Sequence, residues 1–220
     1  MMKNISFDLR VKIKTLLTLS HSFVFTPENQ EKAKIYIERY PKGRQQSAIL
    51  PLLDLAQRQC GGWLPHPAIE SVALMLGMPT IRALEVASFY TMFNLKPVGK
   101  YHVQVCGTTP CALRGAEEIL SACERQLDIC KGQVTSDAQF SLIEVECLGA
   151  CVNAPVVQIN DDFYEDLTPQ TVTYLLENLA SGAPTTPGST IGRHGSEPTI
   201  TPPITQLELF NSKPKNSNAS

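Results

Sequence analysis

Residues 101–111 read Tyr101-His-Val-Gln-Val-Cys106-Gly-Thr-Thr-Pro-Cys111. Tyr101, Val103 and Val105 alternate with His102 and Gln104, the period of a strand that buries one face. That strand runs straight into glycine, two threonines and a proline set between two cysteines, so it ends in a tight loop. Everything before it keeps a helical period. Thr26 and Pro27 start a helix that runs to about Tyr40 and stops at Pro41 and Gly43. Ile49, Leu52, Leu53 and Ala56 fall at spacings of three and four, and Gly61-Gly62 closes that pattern. Pro67 opens a third helix carrying Ile69, Val72, Ala73 and Leu76. After Gly77 and Pro79 a fourth is expected to bury Ile81, Leu84 and Ala87, extended by Phe89 and Tyr90, and to stop before Pro97 and Gly99.

Beyond the loop, one helix is expected to carry Leu113, Ala116, Ile119, Leu120 and Cys123 along a single side. Phe140 to Val145 and Pro155 to Ile159 read as strands, and Phe163-Tyr164 as a short one after the Asn160-Asp161-Asp162 turn. Thr168-Pro169 opens a last helix. Strand, helix, strand, strand pair, helix is the order of a small mixed sheet covered by helices, and a thioredoxin-like layout is one of its few compact solutions. The expected fold class is α+β: an N-terminal helical bundle followed by a thioredoxin-like α/β domain. The expected division is an N-terminal extension (1–25), a helical domain (26–98), the thioredoxin-like domain (99–182) and an extended or disordered C-terminal tail (183–220). That tail carries eight hydrophobic residues and six prolines and cannot bury a core of its own. Leu209-Phe210, an apolar pair far out in it, suits an arm that orders on a partner.

Composition excludes several classes. Nineteen Lys and Arg stand against 21 Asp and Glu, a net charge of -2, which argues against a nucleic-acid binder that relies on bulk positive charge. The longest stretch free of polar side chains, Val72 to Met78, is far short of the ~18 residues a membrane span needs. Leu16, Leu17 and Leu19 are interrupted by Thr18 and Ser20 with no small-residue cleavage site, so a secretory signal is not expected. Lys3, Arg10, Lys12 and Lys14 have some organelle-transit character, which Asp8 and the shortness of the segment oppose; a bacterial N-terminus is the preferred reading. Seven cysteines in a reducing compartment point to metal ligands or redox groups before disulfides.

Four of the seven form two pairs. Cys106 and Cys111 are separated by four residues, and Cys147 and Cys151 by three. Each pair sits where a strand ends, so two loops at one edge of the sheet would bring four sulfurs together. Gly107-Thr108-Thr109 and Gly149-Ala150 let backbone N–H groups approach them closely. A helix starting just after Cys111 would add its positive end, which suits the negative charge of an iron–sulfur group. A four-cysteine zinc site prefers two residues within each pair. A thioredoxin-type redox pair needs Cys-x-x-Cys, which is absent, and His21, His66, His102 and His194 are misplaced for a Rieske centre. Spacing favours iron–sulfur and leaves zinc open.

The chain resembles the small [2Fe-2S] subunits of respiratory NADH:quinone oxidoreductase, complex I, over about residues 22–182. The resemblance rests on Cys106-Gly-Thr-Thr-Pro-Cys111 and Glu146-Cys-Leu-Gly-Ala-Cys151-Val-Asn-Ala-Pro155. It extends to Arg39-Tyr-Pro, Ala56-Gln-Arg-Gln, Gly62-Trp-Leu-Pro65 and Glu85-Val-Ala-Ser-Phe-Tyr-Thr-Met-Phe93. It implies one [2Fe-2S] cluster at the edge loops, ligated by Cys106, Cys111, Cys147 and Cys151, in a one-electron carrier that is part of an oxidoreductase and has no substrate site of its own. It implies a tight heterodimer with the subunit holding FMN and NADH, and contact with the large iron–sulfur subunit. It places the chain at the cytoplasmic face of the bacterial inner membrane, or the matrix side in a mitochondrion, without direct membrane insertion. Gly192-Arg-His-Gly-Ser-Glu-Pro198 is similar to a partner-contacting extension of some members. The rival readings are the matching diaphorase subunit of an NAD-linked hydrogenase or formate dehydrogenase, and a zinc-stapled interaction module. Independently, the chain has neither Gly-x-Gly-x-x-Gly nor a Walker-type loop, so a one-electron carrier of this kind must exchange electrons with a docked partner.

Cys60, Cys123 and Cys130 are read as filler in core or surface, His102 as a surface or packed strand residue and not a ligand or proton relay, His66 as a turn residue and Trp63 as buried against helices. No base occurs between Lys131 and Arg193, where eight acids do. Glu144 and Glu146 are therefore candidates to lower the potential of the site, or to meet a basic surface on the flavin-binding partner.

Overall fold

A computed structural model describes residues 23–195; the expectations for residues 1–22 and for Leu209-Phe210 lie outside the described residues. Helix α1 (Pro27–Glu38) starts where the Thr26 hydroxyl accepts the Asn29 N–H and Pro27, lacking an N–H, occupies the first turn at no cost. Helix α2 (Ile49–Gln59) buries Leu52, Leu53 and Ala56 as the spacing predicts, and α3 (His66–Met75) buries Ile69, Val72 and Ala73. His66, expected in a turn, is the first residue of α3. Phe23, Phe25, Leu64 and Phe93 complete one apolar core with these faces. Each fully buried Leu or Ile contributes about 1.5–3 kcal/mol.

Helix α4 (Thr80–Phe89) departs from the expected stripe. Its buried residues are Ala83 and Ala87, one turn apart, so the helix meets its neighbours along small side chains that allow close approach. Leu84 is half-buried against the core, while Ile81 and Tyr90 are exposed and Phe89 is 78% exposed. Phe89 and Tyr90 contact each other edge to face, with ring centroids 5.1 Å apart.

The turn after α4 is anchored by amides. The Gln57 side chain donates to the Met92 carbonyl (2.9 Å) and accepts from the Asn94 N–H (2.7 Å), while the Asn94 side chain donates to the Gly62 carbonyl (2.9 Å). From there the chain enters a five-stranded mixed sheet of order β2-β1-β3-β4-β5. Strand β1 (Tyr101–Cys106) pairs in parallel with β2 (Phe140–Val145) and antiparallel with β3 (Val157–Ile159). Strand β4 (Asp162–Glu165) closes a hairpin with β3. A parallel β1–β2 pair requires a crossover. It is supplied by α5 (Thr109–Leu113) and α6 (Ala116–Leu127), two helices where the sequence suggests one. Gly115, in the left-handed region at φ +97°, breaks them apart, so Leu113 leaves the shared stripe and stands 81% exposed.

Helix α7 (Pro169–Ser181) begins with a reciprocal Thr168–Thr171 cap and ends at left-handed Gly182. Its Val172, Leu175, Leu176 and Leu179 pack with Ile119, Ala122 and Cys123 of α6 against Val103, Val105 and Leu142 of the sheet, a core separate from that of the helices. Arg58 of α2 reaches Asp161 in the β3–β4 turn with two hydrogen bonds, at 2.7 and 3.0 Å. Residues 183–195 do not trail away. The Thr185 hydroxyl contacts the Tyr164 hydroxyl (2.9 Å), and β5 (Gly188–Ser189) pairs in parallel with β4.

Candidate metal centre

Parallel pairing of β1 and β2, with Cys106 opposite Val145, sends the loops that follow them out of the same end of the sheet. Cys106 is the last residue of β1, and Cys147 follows the end of β2 by two residues. Cys111 lies inside α5, not ahead of a helix as the spacing suggests, and Cys151 opens a single 3-10 turn, Cys151–Asn153. All four sulfurs therefore come to one end of the molecule.

The two pairs sit in opposite environments. Cys106 and Cys111 are 2% and 1% exposed, in a small apolar group with Ala116, Ala154 and Val156 against which Leu148, Ala150 and Phe163 pack. Cys147 and Cys151 are exposed, their sulfurs 3.4 Å apart. Gly149, left-handed at φ +85°, turns its N–H onto the Cys147 sulfur at 3.4 Å. Thr108 bridges the pairs: its hydroxyl lies 3.3 Å from the Cys106 sulfur and also hydrogen-bonds Cys147.

Burial raises the Cys106 thiol, yet donors from Thr108, the Leu148 N–H and Cys111 together bring it below the ordinary value. Burial and the Cys106 neighbour push Cys111 up to about 12. In the exposed pair, the Gly149 N–H and the Cys151 thiol lower Cys147, and Cys151 is raised by its hydrogen bond with Cys147. Within each pair, one thiol is thus lowered and the other raised. Four thiolates so close repel one another until positive charge is placed among them, which is what a thiolate-ligated metal group supplies. Among the described residues no three or more His, Cys, Asp or Glu side chains converge as a single ion requires. Two sulfurs from each loop would serve a group containing two metal atoms.

The surroundings add residues that spacing did not single out. A Cβ on Gly107 would meet the Glu144 carboxylate 2.3 Å away, so this glycine is what admits that side chain against the first cysteine loop. Glu144 pairs with Lys131 at 2.6 Å, both side chains being partly exposed. Glu146 lines a groove of about 640 Å³ between the Thr91–Asn94 turn and the first cysteine loop, with His102, Gln104 and Glu144. His102 is a packed residue as expected: its Nδ1 lies 2.8 Å from the Ser141 hydroxyl, and burial holds the imidazole below its usual value. Cys60 and Cys123 are buried, their thiols pushed up to about 11 and about 12 by burial, which suits core filler; Cys130 is exposed.

A family model described as thioredoxin-like [2Fe-2S] ferredoxin matches residues 33–180, a span that contains all four of these cysteines. Over 158 residues the chain is 63% identical to a curated NADH-quinone oxidoreductase subunit of Rickettsia bellii, covering 72% of this chain and 95% of that protein. It is 51% identical over 175 residues to the mitochondrial NADH dehydrogenase [ubiquinone] flavoprotein 2 of Dictyostelium discoideum, covering 80% and 71%. Its fold is similar to part of an NAD+-reducing [NiFe]-hydrogenase, with a TM-score of 0.53 and 22% identity over 60% of this chain and 23% of that one. The last likeness is one of fold alone.

Proposed function

The chain belongs to a family of NADH-quinone oxidoreductase subunits built on the thioredoxin-like [2Fe-2S] ferredoxin domain, and on that footing we propose how its residues serve electron transfer. Cys106, Cys111, Cys147 and Cys151 are assigned as the ligands of one [2Fe-2S] cluster. The observation that carries this is the convergence of two sulfur pairs at one end of the sheet, one pair per loop. When bound, the group supplies a single-electron redox couple. The protein's part is electrostatic and steric. Thr108 and the N–H groups of Leu148 and Gly149 donate to the sulfurs and stabilise their negative charge. Leu148, Ala150 and Phe163 pack around the buried pair and exclude water from it. The exposed pair is the side from which an electron-exchange partner approaches.

That partner is the subunit that binds FMN and NADH, held as a tight heterodimer, with the large iron–sulfur subunit as a further neighbour. Among the described residues no helix is long and apolar enough to cross a membrane. The chain is placed peripherally at the inner face of the bacterial inner membrane, through the complex. Anaerobic purification with iron, zinc and acid-labile sulfide assays, then EPR after dithionite reduction, tests the assignment. Two irons and two sulfides per chain are expected, with an S = 1/2 signal that Cys106→Ala abolishes. A colourless chain that keeps one zinc after iron and sulfide reconstitution overturns it.

A further inference from the structure

The loop carrying the exposed cysteines is held from an unexpected direction. Residues 183–195 lie beyond the stretch that the family model matches, yet they turn back onto the sheet and reach that loop. Asp166, left-handed at φ +55° just after β4, buries its side chain to 4% exposure, and all its acceptors face this returning segment. Its carboxylate accepts from the Ser189 hydroxyl (2.6 Å) and from both Nε and Nη2 of Arg193, and its carbonyl accepts from the Thr190 hydroxyl (2.7 Å). The same guanidinium donates to the Val152 carbonyl at 2.9 Å, next to Cys151. From the opposite side the Asp166 N–H donates to the Asn153 carbonyl (2.8 Å), and the Asn153 side chain donates to Glu165 (2.6 Å). The 3-10 turn that begins at Cys151 is thus gripped at Val152 by Arg193 and at Asn153 by the β4 end, and Arg193 is oriented by Asp166.

We infer that residues 183–195 form a strap that retains the cluster, with Arg193 as a positioning residue that fixes the turn carrying Cys151. The inference rests on the ligand assignment above. The buried pair needs no such device, because the core holds it. The exposed pair relies on polar contacts instead: the Gly149 N–H, Thr108, the grip of the β4 end on Asn153, and this strap. An arginine suits the task because one planar fork satisfies a carboxylate and a carbonyl together, whereas a lysine gathers its three donors on one compact nitrogen and does so less well.

The test uses the full chain, reconstituted anaerobically with iron and sulfide, as wild type, Arg193→Ala, Arg193→Lys and Arg58→Ala. Arg58→Ala removes an ion pair of similar kind at the β3–β4 turn and serves as the control for a general loss of stability. Iron release to excess EDTA is followed by loss of visible absorption, and the EPR line shape is recorded after reduction. Arg193→Ala is expected to release its iron about ten-fold faster than wild type, with a broadened signal. Arg193→Lys should fall between the two, and Arg58→Ala should match wild type. Arg193→Lys carries the comparison if the alanine variant does not fold. Release within two-fold of wild type in the folded Arg193 variants overturns the strap while the cluster assignment stands. A wild-type chain that takes up no iron and sulfide overturns both.

Discussion

The two cysteine loops carry the same residue type in similar spacing and are stabilised in unlike ways. The first, Cys106 to Cys111, is continuous with an interior strand, β1, and with helix α5, and both its sulfurs are sealed in an apolar group. The second, Cys147 to Cys151, projects from an edge strand, leaves both sulfurs exposed, and draws its order from backbone donors, one shared threonine and the returning C-terminal segment. One wall of the site therefore inherits its rigidity from the core, while the other needs polar contacts made for it. A carrier benefits from the asymmetry, since the rigid buried wall keeps water away and the exposed wall lies within reach of a partner.

The largest effect that would sharpen this contrast is ligand removal. Cys111→Ala and Cys151→Ala should both abolish the reduced EPR signal. Only Cys111→Ala, which empties buried volume, should also lower the stability of the metal-free chain in urea, by about 1 kcal/mol or more. Equal stability losses in the two variants would contradict the assignment of one loop to the core and the other to the surface.

Acid pH provides a second, smaller discriminator. Arg193, supported by Ser189 and with Arg114 nearby, holds the Asp166 carboxyl below the usual aspartate range despite its burial. A depressed folded value means that the stabilisation is present above the unfolded value of about 3.9 and is lost as pH falls through the folded one. The gap in thermal stability between metal-free wild type and Arg193→Ala, about 1–3 kcal/mol near pH 7, should therefore close below about pH 4. A gap that persists unchanged at pH 2 would show that the ion pair does not hold the second loop.

The smallest effect belongs to the first loop. Gly107→Ala should displace the flexible end of the Glu144 side chain and its Lys131 partner, costing only about 0.5 kcal/mol, and adding Glu144→Ala should recover most of that loss. If the double variant, measured in a urea double-mutant cycle, is no more stable than Gly107→Ala alone, the close approach of Glu144 is not what the glycine serves.

Much of the molecule is legible in one dimension. The alternation at 101–106 announces β1, and Thr26-Pro27 and Thr168-Pro169 announce two helix starts, because strand period and capping chemistry are local. Spacing marks two cysteine pairs as well, and their loops leave the same end of the sheet. Expectation and structure part where a distant neighbour decides. Ala87 is buried as expected, but Ile81 and Phe89 lose the buried side to Ala83, since helices pack closest along small residues. Leu113 fits the period of the next helix until a left-handed glycine resets the phase.

What the sequence by itself determined is the inventory: which segments are helix or strand, which cysteines are paired, and which family the motifs resemble. These depend on periods and spacings within a few residues. What only the tertiary structure decided is relative placement. Parallel pairing of β1 and β2 brings two loops some 40 residues apart to one end of the sheet. The burial of one sulfur pair, the pairing of Glu144 with Lys131, and the return of Arg193 to Asp166 follow from that packing. Such contacts form only once the hydrophobic core fixes the backbone, because each joins residues whose loop-closure cost no local signal encodes.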